Sequence, residues 1–317
     1  MTPNAMAIAI FCSHLCVGED VKPLEPREWS ILARKLMQQN IPPSDLLAYG
    51  NQDFRSRLQL DEAQTERFLR LIDRSASLSF EISKYENMGI GLITRADAAY
   101  PPRLKKTLGN GCPPLFYYAG DLELLKRPVV GYVGSRTTSE ADTAFTRELV
   151  GKTVGNGFGV VSGGAKGIDS VAQDEAIALG SSAIAYLSDS MLRIIKSAKT
   201  IQAIQQGTLL LLSVVKPDAG FNAGIAMMRN KYIYAQSSGT IVMKADYNKG
   251  GTWSGAVENL KNEWCPTFCW NNGNYPGNQA LIQKGAIPIE EAWDGDMVSL
   301  TAEKKKTEVV QISLFDA

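Results

Sequence analysis

A single histidine, His14, stands in a chain of 317 residues, leaving little material for a catalytic triad or for histidine acid–base chemistry. No apolar run reaches the length of a membrane span, and the amino terminus carries no basic stretch followed by an apolar core and a cleavage site. A cytoplasmic location, with no membrane association, is therefore expected. An excess of either charge is missing too, since 33 basic residues balance 33 acidic ones. Binding to nucleic acid would need a local basic patch rather than a basic protein. Five cysteines, an odd number, do not suit a disulfide framework and fit a reducing compartment. Cys12 and Cys16 flank His14, and Cys265 and Cys269 repeat their spacing. Zinc pairs usually stand at other spacings, and Cys265 to Cys269 resembles alternation in a strand, so no metal is expected.

What is present is a globular composition, 44% apolar, at a length that allows two domains. The first part, to about Leu125, reads as short helices followed by irregular chain. Trp29, Leu32 and Leu36 lie at helical spacing within Pro26 to Asn40, and a second helical pattern runs from Asp61 to Met88. Tyr100-Pro101-Pro102 and Cys112-Pro113-Pro114 are extended by proline's restriction on its neighbours. From Pro128, apolar runs alternate with helical stretches, the pattern of a doubly wound, mostly parallel sheet. Strands are expected at Val129–Val133, Gly159–Ser162, Ala183–Leu187, Thr208–Ser213, Thr240–Lys244 and Thr267–Trp270. The fold expected is α/β, with a small helical domain and lead-in over 1–125, the sheet domain over 126–296, and a charged linker with a terminal peptide over 297–317.

Within the sheet domain the most informative segment is Gly159-Val160-Val161-Ser162-Gly163-Gly164-Ala165-Lys166-Gly167-Ile168-Asp169. A strand runs into a turn freed by three glycines, and Asp169 is placed to cap the following helix. Backbone amides at that helix start, beside Lys166, would seat a phosphate or carboxylate. Gly134-Ser135-Arg136 leaves the strand at Val129 to Val133 in the same manner. Both turns would open at the carboxyl ends of parallel strands, where ligands bind in open α/β sheets. Two anion seats, each with a cation, point to a polyanion. Neither segment is a Walker A loop, because Ala165 separates Gly164 from Lys166. Gly157-Phe158-Gly159-Val160-Val161-Ser162 also departs from a dinucleotide fingerprint, with Ser162 at the third glycine position. Neither ATP hydrolysis nor NAD binding is expected, and no cofactor.

These turns, with several other segments, resemble the DNA-processing protein A family, also called DprA or Smf. The likeness includes Leu92-Ile93-Thr94-Arg95-Ala96-Asp97, Tyr100-Pro101-Pro102-Arg103-Leu104, Pro114-Leu115-Phe116-Tyr117, Gly120-Asp121-Leu122, Arg229-Asn230-Lys231 and Gly250-Gly251-Thr252-Trp253-Ser254-Gly255-Ala256. The resemblance implies an extended Rossmann-like domain, a homodimer, single-stranded DNA as ligand and RecA as the recombinase to be loaded, without an established catalytic step. Carried over by motif, Gly134, Ser135 and Arg136 would meet phosphate at the first turn, and Ser162, Gly163, Gly164, Ala165, Lys166, Gly167 and Asp169 would form the second seat. Arg229, Asn230 and Lys231 would extend the basic track, with Gly251 and Thr252 beside it. Departures are present. Gln173 stands where the family usually has His, Leu187-Ser188-Asp189-Ser190 replaces a glycine-rich turn, and Ser213-Val214-Val215-Lys216-Pro217 replaces Ser-Glu-Tyr-Pro. The family's frequent carboxy-terminal winged helix is not expected here.

Past Glu303-Lys304-Lys305-Lys306 the chain ends in Gln311-Ile312-Ser313-Leu314-Phe315-Asp316-Ala317. Gln311, Ser313, Leu314 and Phe315 are similar to the peptide by which bacterial replication and repair proteins bind the β sliding clamp, with Leu314 and Phe315 filling an apolar pocket. A small-ligand alternative stays open, either a nucleotide-derived ligand sensor or a phosphoribohydrolase-like protein on the same scaffold. Lys249-Gly250-Gly251-Thr252-Trp253 lacks the Pro-Gly-Gly-x-Gly-Thr form expected of such a hydrolase.

Overall fold

A computed structural model describes residues 1–18, 20–293 and 296. Helices α1 (Pro3–Cys12), α2 (Pro26–Gln38), α3 (Asn51–Arg57), α4 (Glu62–Asp73) and α5 (Ser75–Asn87) precede strand β1 (Gly91–Thr94), α6 (Pro102–Leu108) and β2 (Leu115–Ala119). Next come β3 (Val129–Gly134), α7 (Glu140–Gly155), β4 (Gly159–Ser162), α8 (Ile168–Ala178), β5 (Ala183–Leu187), α9 (Met191–Ile194) and α10 (Ala198–Gln205). Then follow β6 (Leu209–Ser213), α11 (Ala223–Gln236), β7 (Gly239–Lys244), α12 (Gly250–Asn262), β8 (Thr267–Trp270), α13 (Pro276–Gln283) and β9 (Ile287–Ile289). The strands are ordered β1-β2-β6-β5-β4-β3-β7-β8-β9. The chain divides into two compact units, one of Met1–Leu122, Ser188–Ile201 and Leu211–Phe221, the other of Glu123–Leu187, Gln202–Leu210 and the chain from Asn222 on.

In the first unit, α1 is apolar all round and buries Ile8, Ile10 and Phe11 completely or nearly so. Thr2 starts it, its hydroxyl accepting from the Ala5 amide at 3.2 Å. The helix expected over Asp61 to Met88 is broken at Arg74, which is buried and donates to the Ile10 and Leu15 carbonyls. Those carbonyls, at and beyond the end of α1, need donors that a straight helix would not bring to them. Burial pulls the Arg74 guanidinium below its ordinary pKa. Beside the helices, β1 pairs antiparallel with β2, and β2 antiparallel with β6. The expectation of a mostly parallel sheet holds, with these antiparallel strands added.

The second unit is built on parallel pairs, β4 with β5 and with β3, β3 with β7, β7 with β8, and β8 with β9. Continuous burial along β3 to β5 explains why their sequences run apolar rather than alternating. Helix α7 opens on a capping box in which Ser139 Oγ accepts from the Asp142 amide at 3.1 Å and Asp142 accepts from the Ser139 amide at 2.8 Å. Asp142 is fully buried, pairs with Lys244 Nζ at 3.0 Å and accepts from the Tyr275 hydroxyl. Burial opposes its ionisation, but the Tyr275 hydroxyl, the Ser139 amide and the Lys244 ammonium outweigh it and hold its carboxyl below the ordinary value.

Asp142→Ala is expected to destabilise the protein by about 2 kcal/mol, below the ~3–5 kcal/mol of a fully buried pair because Lys244 keeps access to water. A carboxyl depressed in the folded state stabilises above its unfolded pKa and loses that contribution as pH falls through the folded one. The gap between wild type and Asp142→Ala in urea unfolding should therefore narrow as the buffer is taken below about pH 4. A gap independent of pH would show that the charge on Asp142 contributes nothing.

Candidate functional site

Strands β3 and β4 are parallel neighbours, with Val129 opposite Gly159 and Gly131 opposite Val161. The turns that follow them, at Gly134-Ser135-Arg136 and at Ser162 to Gly167, thus open on one carboxyl edge. They also touch. The Ile168 amide donates to the Ser135 carbonyl at 3.3 Å. Gly167 has φ +82°, and a Cβ there would overlap the Ser135 carbonyl oxygen and stand 2.8 Å from Arg136 Cα. Gly134 is bound by the same contact, since a Cβ would stand 2.5 Å from Ile168 Cγ1. Glycine at 167 is required for the close approach as well as for the backbone conformation.

Inside the second turn the polar groups are spent on one another. The Asp169 carboxylate accepts from the Gly163 amide at 3.0 Å, the Ser162 hydroxyl donates to the Asp169 carbonyl at 3.4 Å, and the Ser170 amide donates to Ala165 at 3.1 Å. Asp169 therefore does not cap α8 from outside, as its sequence position predicts. Gly167 holds the N-cap position, and Asp169, inside the first turn, reaches back to the strand end. Burial pushes the Asp169 carboxyl above its ordinary pKa, against the opposing pull of Arg229, the Ala165 and Gly163 amides and Arg136.

Arg229, on α11, also differs from expectation. It is 4% exposed, and its guanidinium lies so close to Gly163 that any Cβ there would overlap it. Rather than extending a surface track, it supports the second turn from beneath, beside the buried Asp169. Asn230 Nδ2 donates to the Gly251 carbonyl at 3.0 Å, tying α11 to the first turn of α12, where Thr252 is half-buried. Lys231 is half-buried, its ammonium 5.3 Å from the Tyr232 ring centre. What faces outward is Arg136, Gly164 and Lys166, with Ser135, Ala165 and Gly167 half-buried between them. The two joined turns carry two exposed cations, with the Asp169 carboxylate buried behind the second turn.

Lys244 was not singled out by the sequence as more than a strand end. It pairs with Gly134 in register, so the ion pair with Asp142 borders the first turn. A cation closing an otherwise apolar strand was the available signal. Among the described residues no group of three or more His, Cys, Asp and Glu side chains is arranged to hold a metal ion. Cys265 and Cys269 instead lie buried against Asn259 and Asn278, and burial drives the Cys269 thiol up to about 12.

Residues 91–297 match the family described as DNA recombination-mediator protein A. The chain belongs to that family. The DNA processing protein DprA of Streptococcus pneumoniae is 30% identical over 232 residues, 72% of this chain and 79% of that protein. Protein Smf of Escherichia coli K12 is 27% identical over 232 residues, covering 72% of this chain and 61% of its own length. Among solved structures, S. pneumoniae DprA superposes with a TM-score of 0.66 at 23% identity, over 84% of this chain and 95% of that one. DprA of Helicobacter pylori, solved to describe its single-stranded DNA binding mode, matches with a TM-score of 0.54 at 27% identity, over 68% of this chain and 96% of that one. The DprA likeness read from the turn motifs is thus shown, as is the mixed α/β fold. A DprA-family chain takes part in DNA processing and recombination. Among its described residues no helix is long and apolar enough to cross a membrane.

Proposed function

We propose that this DprA-family chain binds single-stranded DNA as a non-enzymatic recombination mediator, holding successive phosphates at the two joined turns through Arg136 and Lys166. The observation that carries the proposal is the contact of Gly167 with the Ser135–Arg136 backbone, which makes two strand-end seats into one surface with both cations exposed. The H. pylori relative, described for its single-stranded DNA binding, supports the ligand class. Binding rather than chemistry fits the carboxylate at the seat, because Asp169 is buried and committed to the Gly163 amide. A cytoplasmic homodimer that hands DNA to RecA completes the proposal and rests on the family resemblance alone. Binding of the β sliding clamp through Gln311, Ser313, Leu314 and Phe315 belongs with it, and those residues lie outside the described part of the chain.

Labelled single-stranded and duplex oligonucleotides titrated across a salt series test the central claim. Single strands are expected to bind more tightly, with an affinity that falls steeply with salt, by about 0.7 in the logarithmic slope per neutralised phosphate. Thermal stabilisation by a nucleotide, in a protein that ignores both oligonucleotides, would move the assignment to a ligand sensor.

A further inference from the structure

We propose that Tyr247 is a base-stacking residue for the bound strand, an inference that rests on the single-strand binding proposed above. Tyr247 lies in the loop between β7 and α12, at the carboxyl end of the strand that pairs with β3. In the register of that pair Lys244 stands opposite Gly134, so the loop leaves the sheet beside the first phosphate turn, three residues further on. The α12 end of the same loop is tied toward the second turn, because Asn230 holds the Gly251 carbonyl while its neighbour Arg229 supports Gly163.

The loop is shaped rather than slack. Asp246 and Lys249 form an isolated antiparallel bridge, and Asn248 between them takes a left-handed conformation, φ +54°. Such a turn favours Asn among residues with a side chain. The Tyr247 ring is set against Trp253, with centroids 5.2 Å apart and planes at 70°, an edge-to-face contact that restrains it. Trp253 itself is buried, whereas Tyr247 keeps 58% of its surface open to solvent. Among the described residues of this unit Tyr247 is the one aromatic side chain in the exposed class.

An exposed ring held at a fixed angle, next to Lys249 and beside a phosphate seat, has the two components of sequence-tolerant strand binding, a cationic path and a π-face. Every base offers a π-face, so the contact would add affinity without selecting a sequence. Arg136 and Lys166 hold the backbone, and Tyr247 takes a base turned toward α12.

The test compares wild type, Tyr247→Ala and Tyr247→Phe on a short oligothymidine and on an abasic oligomer of equal length. Tyr247→Ala should weaken oligothymidine binding about tenfold or more, the size of one stacked base, while leaving the abasic affinity and the salt slope unchanged. Tyr247→Phe should restore the wild-type affinity. Oligothymidine binding that is equal in wild type and Tyr247→Ala overturns the inference while single-strand binding stands. Parallel losses on both oligomers overturn it as well, because the residue would then act through fold or charge. A wild-type protein that binds neither oligomer removes the single-strand proposal, and this inference with it.

Discussion

Gly167→Ala should lower the melting temperature and abolish DNA binding with it. The backbone there, φ +82° and ψ −133°, lies in a region open to glycine and strained for alanine. That strain alone costs about 1–3 kcal/mol. The new methyl also overlaps the Ser135 carbonyl, which is backbone and cannot swing aside as a side-chain end can. The two turns must separate, breaking the Ile168-to-Ser135 hydrogen bond. A total near 3 kcal/mol is expected, or roughly 6–12 °C in a unit of this size. Gly180→Ala provides the control. It shares a positive φ, +75°, but has open space around it, so it should report the cost of alanine at a positive φ without the collision and lose less than Gly167→Ala. If both variants melt alike and Gly167→Ala still binds single strands, the joined turns are not the seat.

Removing the two cations separates charge from shape. Arg136→Ala and Lys166→Ala alter exposed side chains, and the contact that joins the two turns is between backbones, so both variants should keep the fold. A charge-assisted hydrogen bond to phosphate contributes about 1.5 kcal/mol or more, so each variant should lose about tenfold in affinity at low salt. The double variant should lose about a hundredfold, and its logarithmic salt slope should shrink by about 1.4, the equivalent of two phosphate contacts on a single strand. Fluorescence anisotropy over a salt series measures both quantities. Loss of affinity with an unchanged slope would mean that the side chains act through structure rather than by neutralising phosphate.

Strands β4, β5 and β8 were legible to the residue, because each is a short apolar run between polar or glycine boundaries and buried along its whole length. The other three expected strands, β3, β6 and β7, shift by one residue at an end. Strands β1, β2 and β9 escaped notice. Prolines crowd the start of β2 and occupy the middle of β9, and β1 is four residues long, so none carries a pattern that local sequence separates from loop. Helix α1 was hidden for the opposite reason. It is apolar on every side, so it has no helical period to detect. At the site, the glycines and the two exposed cations could be read from spacing, because turn conformation and helix-start chemistry are local. The placement of Arg229 beneath Gly163 could not, since it depends on α11 arriving from some sixty residues away. Asp169 turns inward to the Gly163 amide instead of capping its helix, and Arg229 stands close enough to oppose the rise in its pKa.

The bond between Ser135 and Ile168 gives the paired turns a metric property. Two loops that each hang from one strand would drift independently, and the gap between their charges would fluctuate. Joined at Gly167, their backbones are held to one another, so the spacing between the main chains of Arg136 and Lys166 is restrained and can serve as a gauge. A gauge of that kind measures the pitch of whatever polymer is laid across it. It would admit a chain by the rhythm of its charges and remain indifferent to the letters it carries.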